Sequence, residues 1–245
     1  MVAALLLLLF LAPLHAQVNI ETYRGKRGVT GAARLALSSD VGNIDVVKGE
    51  GSGHITVNTA RGVLLGVCKG GVGFLGGERF ANSGVLHLRW TSTASPRWRP
   101  EFFAQTDYAK SRRLDNRALV GTGMRYNAYA AEKSALSLGA ALLWELEDLN
   151  LAPGDPHPAT TQLMRFSGYI NLSLQGRVGF ATTAYVQPAL SDPSDVRLLG
   201  TTELTTPIVG PLRQTTTLDF RIDSAPPRGV EKKDIKFGTS FGVEF

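Results

Sequence analysis

The feature that most constrains this chain is a two-residue alternation of apolar and polar side chains, sustained over segments much longer than ordinary strands. In residues 163–175, Met164, Phe166, Gly168, Ile170, Leu172 and Leu174 alternate with Arg165, Ser167, Tyr169, Asn171, Ser173 and Gln175. A pleated strand sends successive side chains to opposite faces, so this stretch has one oily and one wet side. Residues 135–147 repeat the pattern: Leu136, Leu138, Ala140, Leu142, Trp144 and Leu146 oppose Ser137, Gly139, Ala141, Glu145 and Glu147, with Leu143 as the exception. No window sustains a 3.6-residue helical period for more than about two turns.

Turn residues divide the chain into about twelve strands, at 29–40, 50–60, 62–75, 80–94, 98–111, 116–130, 133–149, 162–175, 177–190, 194–208, 211–224 and 234–245. Joints are short at Arg61-Gly62, Ser95-Pro96-Arg97, Glu132-Lys133, Gly176-Arg177 and Gly210-Pro211. They run longer elsewhere, notably at 151–161 and 224–234. Short turns at one rim and longer loops at the other are the connectivity of an outer-membrane barrel.

A soluble β-sandwich also alternates, so strand length and the polar face decide between the two. Sandwich strands average about five or six residues, whereas a tilted strand needs roughly 9–11 to cross a bilayer. Nearly all the segments here exceed both. Their polar face carries Arg89, Glu101, Asp107, Arg125, Glu145, Arg165, Arg197, Glu203, Asp219, Arg221 and Lys236. Both signs occur, so a closed lumen can pair and hydrate them. Lipid tolerates no unpaired strand edge, so the strands must close on themselves. The predicted fold is all-β: a transmembrane antiparallel up-and-down barrel of about twelve strands over residues 29–245. Trp90, Trp98, Tyr126, Tyr129, Phe180 and Phe245 fall near short turns or the chain end, and Trp144 near a long-loop end. That placement suits two interfacial girdles.

Composition closes other routes. Of 245 residues 27 are glycine and 43% are hydrophobic, which excludes intrinsic disorder and a collagen repeat. A mean hydropathy of −0.01 excludes a bundle of membrane helices. One cysteine excludes a disulfide framework, and Cys68 reads as a small strand filler. The net charge of +5 is spread among acids, which predicts no nucleic-acid partner.

The two ends read as addresses. Ala3–Leu14 is a short apolar run broken by Pro13, as in a signal peptide of residues 1–16 cleaved after Ala16, with 17–28 as a periplasmic lead. In the last segment Ile235, Phe237, Thr239, Phe241, Val243 and Phe245 alternate with Lys236, Gly238, Ser240, Gly242 and Glu244. Termini usually fray, so apolar residues kept to the final position predict a signal for the outer-membrane assembly machinery, carried by Phe237, Phe241, Val243 and Phe245.

Several segments together carry a family resemblance. They are Val18-Asn19-Ile20-Glu21, Gly77-Glu78-Arg79-Phe80 leading into Leu86-His87-Leu88-Arg89-Trp90, and Tyr108 with Arg112-Arg113-Leu114-Asp115. Gln187-Pro188, Ser194-Asp195-Val196-Arg197-Leu198-Leu199 and Pro226-Pro227-Arg228-Gly229-Val230 follow. In order and spacing these make residues 17–245 resemble the salt-induced outer membrane protein family, which is built on a domain of unknown function. The resemblance implies a barrel in the outer membrane of a Gram-negative bacterium and names no activity.

Other motifs predict little chemistry. Gly71, Gly73 and Gly76 match G-x-G-x-x-G, but a second strand follows where a dinucleotide site needs a helix. His54 and His87 fall on polar strand faces, and His87 is expected inside beside Arg89. Asp155 and His157 share a Pro-rich loop and are too few for a metal site. No catalytic residue, metal or cofactor is predicted. Expected partners are outer-membrane lipids and lipopolysaccharide, and the assembly machinery; Arg112, Arg113 and Arg228 read first as solvated loop charge, with contact to lipopolysaccharide phosphates as the alternative. The leading functional expectation is an envelope or osmotic-stress barrel, or a small-solute pore. The alternative is a barrel enzyme acting on lipid or lipopolysaccharide, for which His87 is the residue to test.

Overall fold

A computed structural model of the chain describes residues 28–40 and 45–245. The predicted signal peptide, residues 1–16, and the lead up to residue 27 lie outside the described residues. The strands are β1 (Gly28–Asp40), β2 (Val46–Asn58), β3 (Gly62–Leu75), β4 (Glu78–Ser92), β5 (Trp98–Ala109) and β6 (Leu114–Ala130). They continue as β7 (Ser134–Leu149), β8 (Thr160–Gln175), β9 (Gly179–Pro188), β10 (Val196–Val209), β11 (Leu212–Asp223) and β12 (Lys233–Glu244). Each pairs antiparallel with its sequence neighbours and β12 returns to β1, so twelve strands among the described residues form a closed barrel. Closure follows from the alternation: with one face oily along every strand, any free edge would leave backbone donors and acceptors in hydrocarbon.

Outward rows carry the apolar residues, including Leu86 and Leu88 of β4, Leu138 and Leu142 of β7, and Ile170 and Leu174 of β8, all exposed. Inward rows carry buried polar groups. The turns β2–β3, β4–β5, β6–β7, β8–β9 and β10–β11 gather at one rim with both ends of the described barrel. At that rim Trp98 is 57% exposed and its ring lies 4.6 Å from that of Tyr126, while the rings of Trp90 and Phe102 lie 5.8 Å apart. An aromatic belt belongs at the headgroup level.

At the opposite rim the β3–β4 connection is shorter than the alternating joint lengths suggest. Gly76 and Gly77 form a two-residue hairpin with φ of +56° and +84°. Positive φ at both central residues is what a tight hairpin of this hand requires, and glycine adopts it without strain. This hairpin joins two strands, so the G-x-G-x-x-G match supports no βαβ unit.

Two of the longer loops at this rim are tied together. Asp155, on the β7–β8 loop, accepts the His157 backbone N–H at 3.0 Å and, from the β11–β12 loop, the Arg228 N–H at 2.9 Å. The His157 bond, with Arg228 adding to it, holds the exposed Asp155 carboxyl below its usual pKa. A depressed carboxylate pKa contributes stability that is complete above the unfolded value of about 3.9 and disappears as pH falls through the folded value. Protection of the His157 and Arg228 amides, normalised to free-peptide exchange rates, is therefore expected to fall below about pH 4 while strand amides keep theirs. Protection independent of pH through that window would contradict the tie.

Candidate functional site

The inward rows build a lumen that differs from one side to the other. On the β4–β10 side long side chains reach across and pair. Glu101 of β5 is the centre of the lower layer. It accepts Arg89 Nη1 at 3.0 Å, Arg125 Nε at 2.9 Å, Thr91 Oγ1 at 3.1 Å and the Tyr169 hydroxyl at 2.6 Å. With four donors on a carboxylate that is 2% exposed, the charge is buried but compensated. Tyr169 can cross to Glu101 because its cross-strand neighbour is Gly139, where a Cβ would stand 2.0 Å from the ring. Leu65 and Val67 of β3, from the far wall, pack on Tyr169, with Tyr185 against the same group. An apolar bridge thus spans the lumen beside the ion pairs.

A second layer lies nearer the long-loop rim. Asp107 accepts Arg117 Nε at 2.9 Å and Arg112 Nη2 at 3.4 Å. Glu145 accepts Arg165 Nε at 3.1 Å and Arg197 Nη1 at 2.9 Å, and Glu147 accepts Arg197 Nη2 at 2.8 Å. Arg165 reaches Asp195 on the β9–β10 loop at 2.8 Å, and Asp223 accepts both Arg197 and Arg221. Five arginines face five carboxylates, so the layer is neutral as a whole. Between the layers is a cavity of about 50 Å³ lined by His87, Phe103, Leu119, Leu143, Tyr185 and Leu199. Leu143, which breaks the alternation of β7, faces this apolar gap and is 2% exposed.

The β10–β12 and β1–β3 side mixes small inward residues, Ala36, Ser52, Thr217, Gly238 and Ser240, with the charges Arg34, Glu50, Lys69, Glu203, Asp219 and Lys236. Two ion pairs cross it, Arg34 Nη1 to Glu203 at 3.0 Å and Lys236 to Glu50. They border a cavity of about 110 Å³, and a larger one of about 520 Å³ lies at the short-turn rim beside His54, Glu203, Arg213 and Glu244.

All the predicted lumen charges lie on the inward face. Arg89, Glu101, Arg125, Glu145, Arg165, Arg197, Glu203 and Arg221 are buried, and Asp219 accepts the Thr201 hydroxyl at 2.6 Å. Sequence reading left Arg117 and Asp195 out of this network, although Arg117 precedes Arg125 by an even number of residues and so shares its face. Arg112 needs correction. A residue after β5 reads as loop charge available to phosphate, yet it is 5% exposed and turned onto Asp107. The cause is the short 3₁₀ turn Lys110–Arg112, closed by Arg113 with φ of 55°, which folds the side chain under the rim.

His87 is inside, as expected. Its Nδ1 meets Gln105 Oε1 at 3.1 Å and its Nε2 accepts Arg89 Nε at 3.4 Å, so both ring nitrogens are engaged away from lipid. Cys68 is on the outward face of β3. Phe237, Phe241, Val243 and Phe245 are exposed along one outward row.

The family of proteins of unknown function DUF481 matches residues 81–245. The chain belongs to this family. The matched stretch runs from within β4 to the end of β12, narrower than the resemblance read from residues 17–245. No curated protein matches the chain. Among solved structures, the translocator domain of the autotransporter NalP from Neisseria meningitidis is similar with a TM-score of 0.50 and 11% identity, over 93% of this chain and 92% of that one. The NanC porin gives 0.49 and 8% over 88% and 98%, and the KdgM porin 0.45 and 8% over 89% and 99%. At these identities the likeness concerns fold alone: an outer-membrane-type barrel.

Proposed function

We propose that the protein is a barrel of the Gram-negative outer membrane that passes water and small solutes along one side of its lumen. The observation behind this reading is the asymmetry between the two walls. On the β4–β10 side, paired arginines and the Tyr169 bridge fill the section, whereas the β10–β2 side alternates its charges with inward glycine, alanine, serine and threonine and keeps cavities along it. Side chains set the width of a barrel of this size, since strand number alone places it between filled eight-stranded barrels and open porins. The outward row of Phe237, Phe241, Val243 and Phe245 serves as its assembly signal. The envelope or osmotic-stress role implied by the resemblance belongs to the same reading.

Conductance of the refolded protein in planar bilayers tests the passage. Small, steady single-channel steps are expected. With Cys68→Ser in the background, a bulky thiol reagent on Ser240→Cys is expected to lower the step size. Ser137→Cys, in the filled half and fully buried, is expected to resist modification. Bilayers that stay silent while the protein is folded would reject the passage and leave a structural barrel.

A further inference from the structure

We propose that the outer surface of the β4–β7 wall holds one acyl chain of an outer-leaflet glycolipid, with a phosphate of that lipid on Arg79 and Lys110. This rests on the outer-membrane placement proposed above and is independent of the passage.

The groove arises from residue size. Ala104 and Ala118, with their cross-strand partners Val120 and Thr106, form a low floor where the flanking strands carry Leu86 and Leu88 on one bank and Trp144 and Leu146 on the other. The depression measures about 280 Å³. Its position along the wall follows from chain direction. β5 rises to Ala109 at the long-loop rim and β6 descends from Leu114, so Ala104 and Ala118 lie in the half of the wall nearer that rim. Long loops face the cell exterior in barrels of this kind, which puts the groove in the outer leaflet.

The chemistry at the top of the groove matches a lipid with a phosphorylated headgroup. Tyr108 crowns it, laid over Gly84, where a Cβ would stand 2.6 Å from the ring. Its amphipathic ring is 42% exposed and marks the headgroup level. Above Tyr108, Lys110 Nζ donates to the Arg79 carbonyl at 3.1 Å, which brings two exposed cations to the β4–β5 corner. Glu78, Asp115 and Asp148 are also exposed at this rim. Asp148 stands above the opposite bank; Glu78 adjoins Arg79, so Arg79 and Lys110 leave the β4–β5 corner with a net positive charge, and the phosphate is assigned there. An apolar furrow with two cations at the rim above it suits a multi-acylated, bisphosphorylated disaccharide such as lipid A better than a single-phosphate phospholipid.

The native fluorescence of Trp144 provides the test. Trp90→Phe and Trp98→Phe leave Trp144 as the sole tryptophan of the three in the sequence. In vesicles of brominated-chain phosphatidylcholine, Trp144 is expected to be quenched. Adding a few mole percent of unbrominated lipid A is then expected to restore far more fluorescence than its share of the bilayer, whereas phosphatidylglycerol restores only its share. Ala118→Phe, which fills the furrow with another apolar group, is expected to abolish the excess. Arg79→Glu with Lys110→Glu is expected to raise the lipid A needed by about tenfold or more. Recovery merely proportional to added lipid A overturns the site, and an equal excess with phosphatidylglycerol overturns the glycolipid assignment. Absence of quenching in the folded protein overturns the membrane placement together with the site.

Discussion

Deleting Phe245 is expected to abolish the closed barrel in most molecules, because it completes the weakest seam in the wall. Among the described residues the β1–β12 ladder contains Ala32↔Glu244, Ala33↔Val243, Arg34↔Gly242 and Leu35↔Phe241, whereas β6–β7 pairs from Leu114↔Leu149 to Ala130↔Ala135. Phe245 adds the next rung. Its N–H donates to the Gly31 carbonyl at 2.9 Å and its carbonyl accepts the Gly31 N–H at 2.8 Å. Its ring lies so close to Gly31 that a Cβ there would stand 2.7 Å away. The deletion leaves the Gly31 N–H and carbonyl without their partners, at about 1–3 kcal/mol each, and so removes roughly 2–6 kcal/mol from a short seam. The fraction of heat-modifiable barrel after refolding in detergent measures this directly. Phe245→Leu retains both backbone bonds and is expected to fold near the wild-type level, and Gly31→Val is expected to resemble the deletion. Wild-type refolding of the deletion would show that the seam does not depend on its last rung. The same series tests the assembly signal: Phe245→Ala is expected to refold in vitro yet reach the outer membrane poorly in cells.

The sequence made much of this architecture legible, and the limits have a physical pattern. Along the middle of β7 and β8, from Leu136 to Leu146 and from Met164 to Leu174, every outward position is apolar or glycine and most inward ones across the two strands are polar, so local periodicity reports the environment of each side chain. β2 and β3 are less transparent. Gly49, Gly51 and Gly53 weaken the outward row of β2, and β2 starts at Val46 rather than near residue 50. In β3, Leu65 and Val67 face inward, against the expectation that the lumen row is polar, because they meet Tyr169 of β8. That pairing depends on a contact across the lumen, and no window of β3 contains it. Arg112 is obscured for a different reason, since its direction is set by a backbone turn and by Asp107 rather than by any periodic pattern. The charged lumen row was readable because a strand's period fixes the face. The partners on that face were not, since Arg197 of β10 reaches Glu145 and Glu147 of β7 over two intervening strands.

Glu101→Ala is expected to destabilise the barrel by about 3–5 kcal/mol, the range for removing one partner from a buried ion pair. The loss exceeds that of a surface bridge, worth roughly 0–1 kcal/mol, because it strands several donors at once. Arg89 and Arg125 would face each other without their shared carboxylate, and the Tyr169 hydroxyl would lose its acceptor. Glu101→Gln preserves shape and an acceptor oxygen while removing the charge, so its cost is expected to fall between wild type and alanine. Denaturant unfolding in micelles reads both, with an unchanged slope marking a pure stability effect. A third variant separates stability from architecture. Replacing the group together, Arg89→Met, Glu101→Leu and Arg125→Leu, removes the charges along with their desolvation cost, and is expected to recover much of the lost stability. Tyr169 would still lack its anchor in that variant, and the bridge to Leu65 and Val67 would lose its fixed position. Conductance should therefore rise in the triple variant even as stability returns. A triple variant as unstable as Glu101→Ala would mean that the ion pairs hold the barrel together, rather than placing Tyr169 across its lumen.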